Sequence, residues 1–343
     1  MLRRFWLPLL AISVALLLLL ARNHLSTFDW RAFALLYHSI DWYWMSSGMA
    51  IVLASYIARA LRWQVMLHPL APNAPFTRVL SATMIGFTAI VLLGRPGELV
   101  RPYLIAKNEK VSVSSQMAIW LLERIYDLLA VLLLFGLGLI TFDSGGRNIG
   151  TAMQWVLQTG GFLIAALCAA CLTFLIFAAR GGDAMVRRLQ DALGFLPEHL
   201  LGRVSEVMRS FATGLASCRD GAGIGRIVAY TILEWGAIVA ACYCIFQSFP
   251  QTAVFGWLDV IVYLGFVSFG SIVQIPGIGG GVQIVSAVVL TQLFGVEAAP
   301  AAGIAIASWA ATWVVVIPFG LFLAARQGVS WASLKHIDEE VKA

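Results

Sequence analysis

The sequence predicts an all-α, polytopic membrane protein with six full transmembrane helices plus two re-entrant helical hairpins, set in inverted repeats. Composition is the first ground for this. Hydrophobic residues make up 60% of the 343 and charged residues only 12%, against about 25% charged in an average soluble domain. A soluble core could not bury so much apolar side chain, whereas a helix in hydrocarbon can be apolar on every face. The second ground is length, because apolar runs of about 20 residues recur, enough to cross the hydrocarbon layer. The third is that two further runs are broken mid-course by glycine and proline, which helices tolerate poorly. No hydrophilic block is long enough to form a separate catalytic domain. The net charge of +5 is explained by membrane topology rather than by nucleic acid.

The first span is read over 5–21. Arg3 and Arg4 precede it as in a signal peptide, but no small-residue cleavage site follows, so it is taken as a retained helix. Five more full spans are read at 43–63, 116–142, 154–178, 227–249 and 300–325. The run 79–93 meets Gly94-Arg95-Pro96-Gly97-Glu98 and resumes over 99–106, giving a hairpin over 79–106. The run 257–275 meets Pro276-Gly277-Ile278-Gly279-Gly280-Gly281 and resumes over 282–294, giving a hairpin over 257–294. A hydrophilic insert, 181–225, follows the fourth span. Its Leu200, Val204, Val207, Met208, Phe211 and Leu215 recur at three- and four-residue steps, as in a helix lying on the membrane interface or packed on a partner helix. A cytoplasmic tail, 326–343, ends the chain.

Charge sets the orientation. If each broken run enters and leaves on one side, 19 of the 23 Lys and Arg fall on one face, including Arg59, Arg62, Arg95 and Arg101. Only Arg22, Arg31 and Arg147 fall on the other, and Arg124 stays inside a span. By the positive-inside rule both termini are cytoplasmic, and the expected location is a bacterial inner membrane. Residues 1–142 then form an N-terminal repeat of span, span, hairpin, span, and 154–325 repeat that order from the opposite face. Paired broken helices in inverted repeats are a recurring transporter architecture, with the site where the breaks meet.

Three charges in the third span carry the sharpest chemical signal, since a charge at the bilayer centre costs at least about 2.5 kcal/mol and is usually paired or functional. Glu123 and Asp127 are four residues apart and share a helix face, and Arg124 is placed to neutralise one of them. A proton-exchanging site, a headgroup receptor and a structural ion pair all fit. Around the first break, Arg95, Glu98 and Arg101 with free backbone donors form a candidate anion site suited to phosphate, or else anchor topology. Hinge positions are Gly94, Pro96 and Gly97 in the first break and Pro276, Gly277, Gly279, Gly280 and Gly281 in the uncharged second one. Glu234, early in the fifth span, is a lesser candidate. The cysteines, Cys168, Cys171, Cys218, Cys242 and Cys244, read as small hydrophobes. No histidine or cysteine spacing suits a metal, and no Walker lysine follows the glycine string, so neither cofactor nor metal is expected.

Gly97-Glu98 with Arg101, Glu123-Arg124 with Asp127, and Pro276-Gly277-Ile278-Gly279-Gly280 together resemble the transmembrane, flippase-like domain of lysylphosphatidylglycerol synthases, over about 5–325. The resemblance implies two-sided re-entrant architecture and movement of a phospholipid or isoprenoid-type lipid between leaflets. Lysyl transfer is not expected, because the sequence carries no soluble aminoacyltransferase domain. Two departures stand out. Gln283 occupies a place where members often have an acid, and the last span offers Ser308, Trp309 and Thr312 but no arginine. An uncharged C-terminal half suits a less polar substrate, such as a sterol-like polycyclic isoprenoid. The expected function is lipid translocation without enzymatic chemistry, with a membrane lipid as substrate, anionic headgroups at the cytoplasmic face and no nucleic acid. The alternatives are an accessory subunit serving a lipid-biosynthetic enzyme and an integral-membrane enzyme that modifies a lipid.

Overall fold

The computed structural model describes residues 29–141, 160, 164, 166–171, 173, 221–270, 274–275 and 279–328, and ten α-helices have both ends among these described residues. They are α1 (Trp30–Leu36), α2 (Trp42–Leu67), α3 (Phe76–Leu93), α4 (Val100–Glu109), α5 (Val113–Thr141), α6 (Gly221–Gln247), α7 (Trp257–Gly270), α8 (Gly281–Gln292), α9 (Ala298–Val314) and α10 (Val316–Arg326). The span expected at 5–21, most of that at 154–178, the insert to residue 220, Pro276, Gly277 and the tail beyond 328 lie outside the described residues.

Among the described residues, four stretches are long and apolar enough to cross a membrane: α2, α3, α6, and α9 with α10 taken together. The 29-residue α5 is as long, but carries Glu123, Arg124 and Asp127. Two results differ from the sequence expectation. At 18 residues, α3 reaches about 27 Å at 1.5 Å per residue, so the first arm of the expected hairpin has the length of a crossing. The expected span 300–325 is two helices joined at Val315. Pro318 accounts for the break, since its missing N–H removes the bond to the Val314 carbonyl.

At the first interruption Gly94 takes φ 71° and ψ −144°, a region that glycine enters without steric cost. Its N–H closes α3 on the Ile90 carbonyl at 2.8 Å. A 3-10 turn, Arg95–Leu99, then brings α4 back against α3. Gly97 packs so tightly there that a methyl group would collide with the Ala89 carbonyl. Because that neighbour is backbone, Gly97→Ala is expected to cost at least the ~1–3 kcal/mol typical of overpacking. The thermal midpoint in detergent should drop for Gly97→Ala and hold for Gly225→Ala, where a methyl meets nothing within 4 Å.

At the second interruption the described residues form a short ladder. Gln274–Ile275 and Gly279–Gly280 pair as an antiparallel ladder, Gln274 opposite Gly280 and Ile275 opposite Gly279. Backbone away from water must find partners, and these two short strands supply each other. Gln283 closes the arrangement, its Oε1 accepting the Gly280 N–H at 2.7 Å.

The largest helix contact joins α2 to α6, where Gly48 lets Ile245 approach closely. One apolar core gathers Trp63, Met66, Leu67, Ile105, Ile119 and Leu122. A second gathers Phe246, Phe249, Val260, Leu290 and Ile304. A smaller cluster of Val52, Tyr56, Met84, Ala241 and Val316 shares Leu80 and Leu323 with the first at its edge.

Candidate functional site

Helical spacing places the charged side chains. On α2, Arg59 and Arg62 are three residues apart and share a face, as do Glu123 and Asp127 on α5. Packing of α2 against α6 brings Thr231, Glu234 and Trp235 to them, and α4 contributes Arg101. Gly86 makes room for the last, since a methyl there would lie 2.6 Å from the Arg101 Cβ.

Arg62 is the centre of the network and is fully buried. Its Nη1 donates to Asp127 Oδ1 at 2.7 Å and to Thr231 Oγ1 at 3.1 Å, and its Nη2 donates to Glu123 Oε1 at 3.0 Å. The same Nη2 lies 3.0 Å from Glu234 Oε2, and Arg59 Nη1 lies 2.8 Å from Glu234 Oε1. No N–H is aligned on either Glu234 oxygen, so that carboxylate is held by charge more than by directed hydrogen bonds. Glu123 also accepts from Arg101, whose guanidinium carbon sits 4.0 Å from the Trp63 ring centroid. A cation over a desolvated indole face gains about 2 kcal/mol. Arg124 spans Glu123 at 3.2 Å and Asp127 at 3.1 Å, with 38% of its side chain exposed.

Among the described residues, four arginines (Arg59, Arg62, Arg101, Arg124) therefore face three carboxylates (Glu123, Asp127, Glu234), one positive charge in excess. Such a buried network is stable only while its members stay paired. Each guanidinium carries five N–H groups, more than its carboxylate partners use, so an anion can be accepted alongside them.

Of the residues singled out from sequence, Arg101, Glu123, Arg124, Asp127 and the lesser candidate Glu234 come together in this network. Arg95 and Glu98 pair with each other at 2.6 Å on the 3-10 turn, with the Arg95 side chain 48% exposed. Gly94, Pro96 and Gly97 form the turn itself, Gly279 and Gly280 the ladder, and Gly281 the first residue of α8. Arg59 and Arg62, counted by sequence among the cytoplasmic charges, lie within α2, and Arg62 is wholly interior. The continuation of the helix was readable, since α2 runs on to Leu67 without glycine or proline after Arg62 and Trp63, Val65, Met66 and Leu67 are apolar; what the two arginines face was not.

Beside the network lies a cavity of about 280 Å³. Arg59, Tyr56 and Phe87 line one part of it, and Tyr263, Ser308 and Trp313 line another. Its walls come from α2, α3, α6, α7, α8 and α9, so helices flanking both interruptions border one space. That space is mainly apolar.

The family model of the lysylphosphatidylglycerol synthase TM region matches residues 6–320. No curated protein and no solved structure matches the chain. With its membrane-length helices and a match over nearly its whole length, the chain is a multi-pass membrane protein with a lipid-related role, and it belongs to the lysylphosphatidylglycerol synthase TM region family.

Proposed function

We propose that this protein is a translocase that moves a phospholipid or isoprenoid-type lipid between the two leaflets of a bacterial inner membrane. The observation that carries the reading is the seven-charge network set directly against an apolar cavity, with Arg59 belonging to both. An amphipathic molecule needs both environments at once, a polar place for its head and an apolar one for its body. Charged residues at membrane depth are costly, and the usual return for that cost is a substrate or ion path.

In this reading α3 with α4 and α7 with α8 are re-entrant pairs entering from opposite faces. The order of helix, broken pair and helix, found in α2–α5 and again in α6–α10, supports a pair of inverted repeats over 1–142 and 154–325 with both termini cytoplasmic. Arg95 and Glu98, on the exposed turn, meet the headgroup at the surface. Arg101 and Arg124 receive it further in, and Glu123 and Asp127 balance the charge when the site is empty. The Gly94–Gly97 turn and the glycines of 277–281 serve as hinges. No bond of the lipid is made or broken.

Reconstitution in liposomes with a fluorescent phospholipid, read by its accessibility to a membrane-impermeant quencher, tests this. Glu123→Ala combined with Arg124→Ala is expected to slow translocation at least tenfold in protein that remains monodisperse on size exclusion. Equal rates for the two proteins would overturn the proposal.

A further inference from the structure

We propose that the cavity holds the apolar end of a lipid whose head is a phosphate monoester, and that Arg59 is the residue that receives the phosphate. This rests on the translocase reading and gives that reading a substrate class.

Arg59 is the single charged residue lining the cavity among the described residues. Only 15% of its side chain is exposed. One amino group, Nη1, faces Glu234, but Nε is buried and has no hydrogen-bond partner. A buried donor left unmade is costly, more so on a charged group, and a ligand oxygen beside the Nε–H removes that cost. The guanidinium carbon lies 4.8 Å from the Phe87 ring centroid and 5.8 Å from that of Tyr56. Both rings border the cavity, so an aromatic wall fixes the guanidinium in a geometry suited to a planar, two-point grip on phosphate oxygens.

Charge count selects the head. The network holds one positive charge in excess, so an anion completes it. A zwitterionic or cationic head would bring an ammonium group toward Arg59, and like charges repel strongly where water is scarce. The cavity walls select the body. Apart from Arg59 they are apolar or carry hydroxyls, and the Ser308 Oγ is buried without a partner, a second place for a polar atom of the ligand. At about 280 Å³ the space lies just below the ~300–1,000 Å³ usual for ligand pockets. It takes one end of a lipid, not a whole one.

Glu234 competes with the ligand for Arg59, which gives the proposal a signature that misfolding cannot imitate. Removing the competing carboxylate should tighten anion binding, while removing Arg59 should weaken it. Native mass spectrometry of the delipidated full-length protein in detergent reads both, using dioleoyl phosphatidic acid, dioleoyl phosphatidylcholine and inorganic phosphate as probes. The expected result is at least tenfold preference for phosphatidic acid over phosphatidylcholine. Arg59→Ala should abolish that preference, Glu234→Gln should raise phosphatidic acid retention several-fold, and inorganic phosphate in excess should leave it unchanged. Equal retention of the two lipids, or an undiminished preference in Arg59→Ala, would overturn the assignment. Displacement of the lipid by inorganic phosphate alone would also overturn it, by showing a free-anion site. Selective binding without translocation would sink the translocase reading but not this one, and translocation without selective binding would do the reverse.

Discussion

Arg62→Ala is expected to destabilise the protein by about 3–5 kcal/mol, the cost of leaving buried carboxylates without their partner. Arg62 ties α2 to α5 through Glu123 and Asp127, and to α6 through Thr231 and Glu234. Arg101, Arg124 and Arg59 remain after the change, yet each approaches the carboxylates from the rim of the network. Lysine is a poor replacement, since one ammonium cannot reproduce the fork that reaches Asp127, Glu123 and Glu234 together. Thermal unfolding in detergent should show a large drop for Arg62→Ala and nearly as large a drop for Arg62→Lys. Arg124→Ala, with its half-exposed side chain, should cost much less. Arg62→Met combined with Asp127→Asn removes one charge of each sign and should recover part of the loss.

Filling the cavity should have the largest effect on transport. Ala305 lines it and is 3% exposed, whereas its neighbour Ile306 is 44% exposed and does not line it. Tryptophan at 305 would occupy much of a space of about 280 Å³, at a stability cost of about 1–3 kcal/mol from overpacking. Ala305→Trp is therefore expected to reduce translocation to the level of protein-free liposomes, with Ile306→Trp close to the unaltered protein. A melting measurement on the same preparations separates blockage from unfolding.

Apolar length was legible from the sequence because it is a local property. The runs around 43–63, 227–249 and 300–325 reappear as α2, α6 and α9–α10. Glu123, Arg124 and Asp127 were legible for the same reason, since charge within an apolar run needs no three-dimensional information to stand out. Arg59 and Arg62 were not. Lying near one end of a run, they were absorbed into the count of cytoplasmic charge, and only the packing of α2 on α5 and α6 shows what they face. Glu234 looked minor for a related reason, as its partners are far away in sequence.

The ladder at 274–280 was hidden by composition. A glycine-rich string has no side-chain pattern from which pairing can be read, and the pairing follows from backbone groups that need partners. Pro318 was a readable signal, since a proline 18 residues into a 26-residue run marks a break near the residue four before it. The cavity was beyond sequence reasoning altogether. Trp309 and Trp313 look the same in a sequence whether they face lipid or line an interior space.

The most direct test of the account is the translocation rate of the unaltered protein itself, measured in liposomes carrying a fluorescent phospholipid in both leaflets and a quencher outside only. If lipid passes through the interior, quenching should proceed beyond the outer-leaflet half and approach completion in every vesicle that contains protein. Quenching that halts at the outer half, in vesicles shown to contain folded protein, would contradict it.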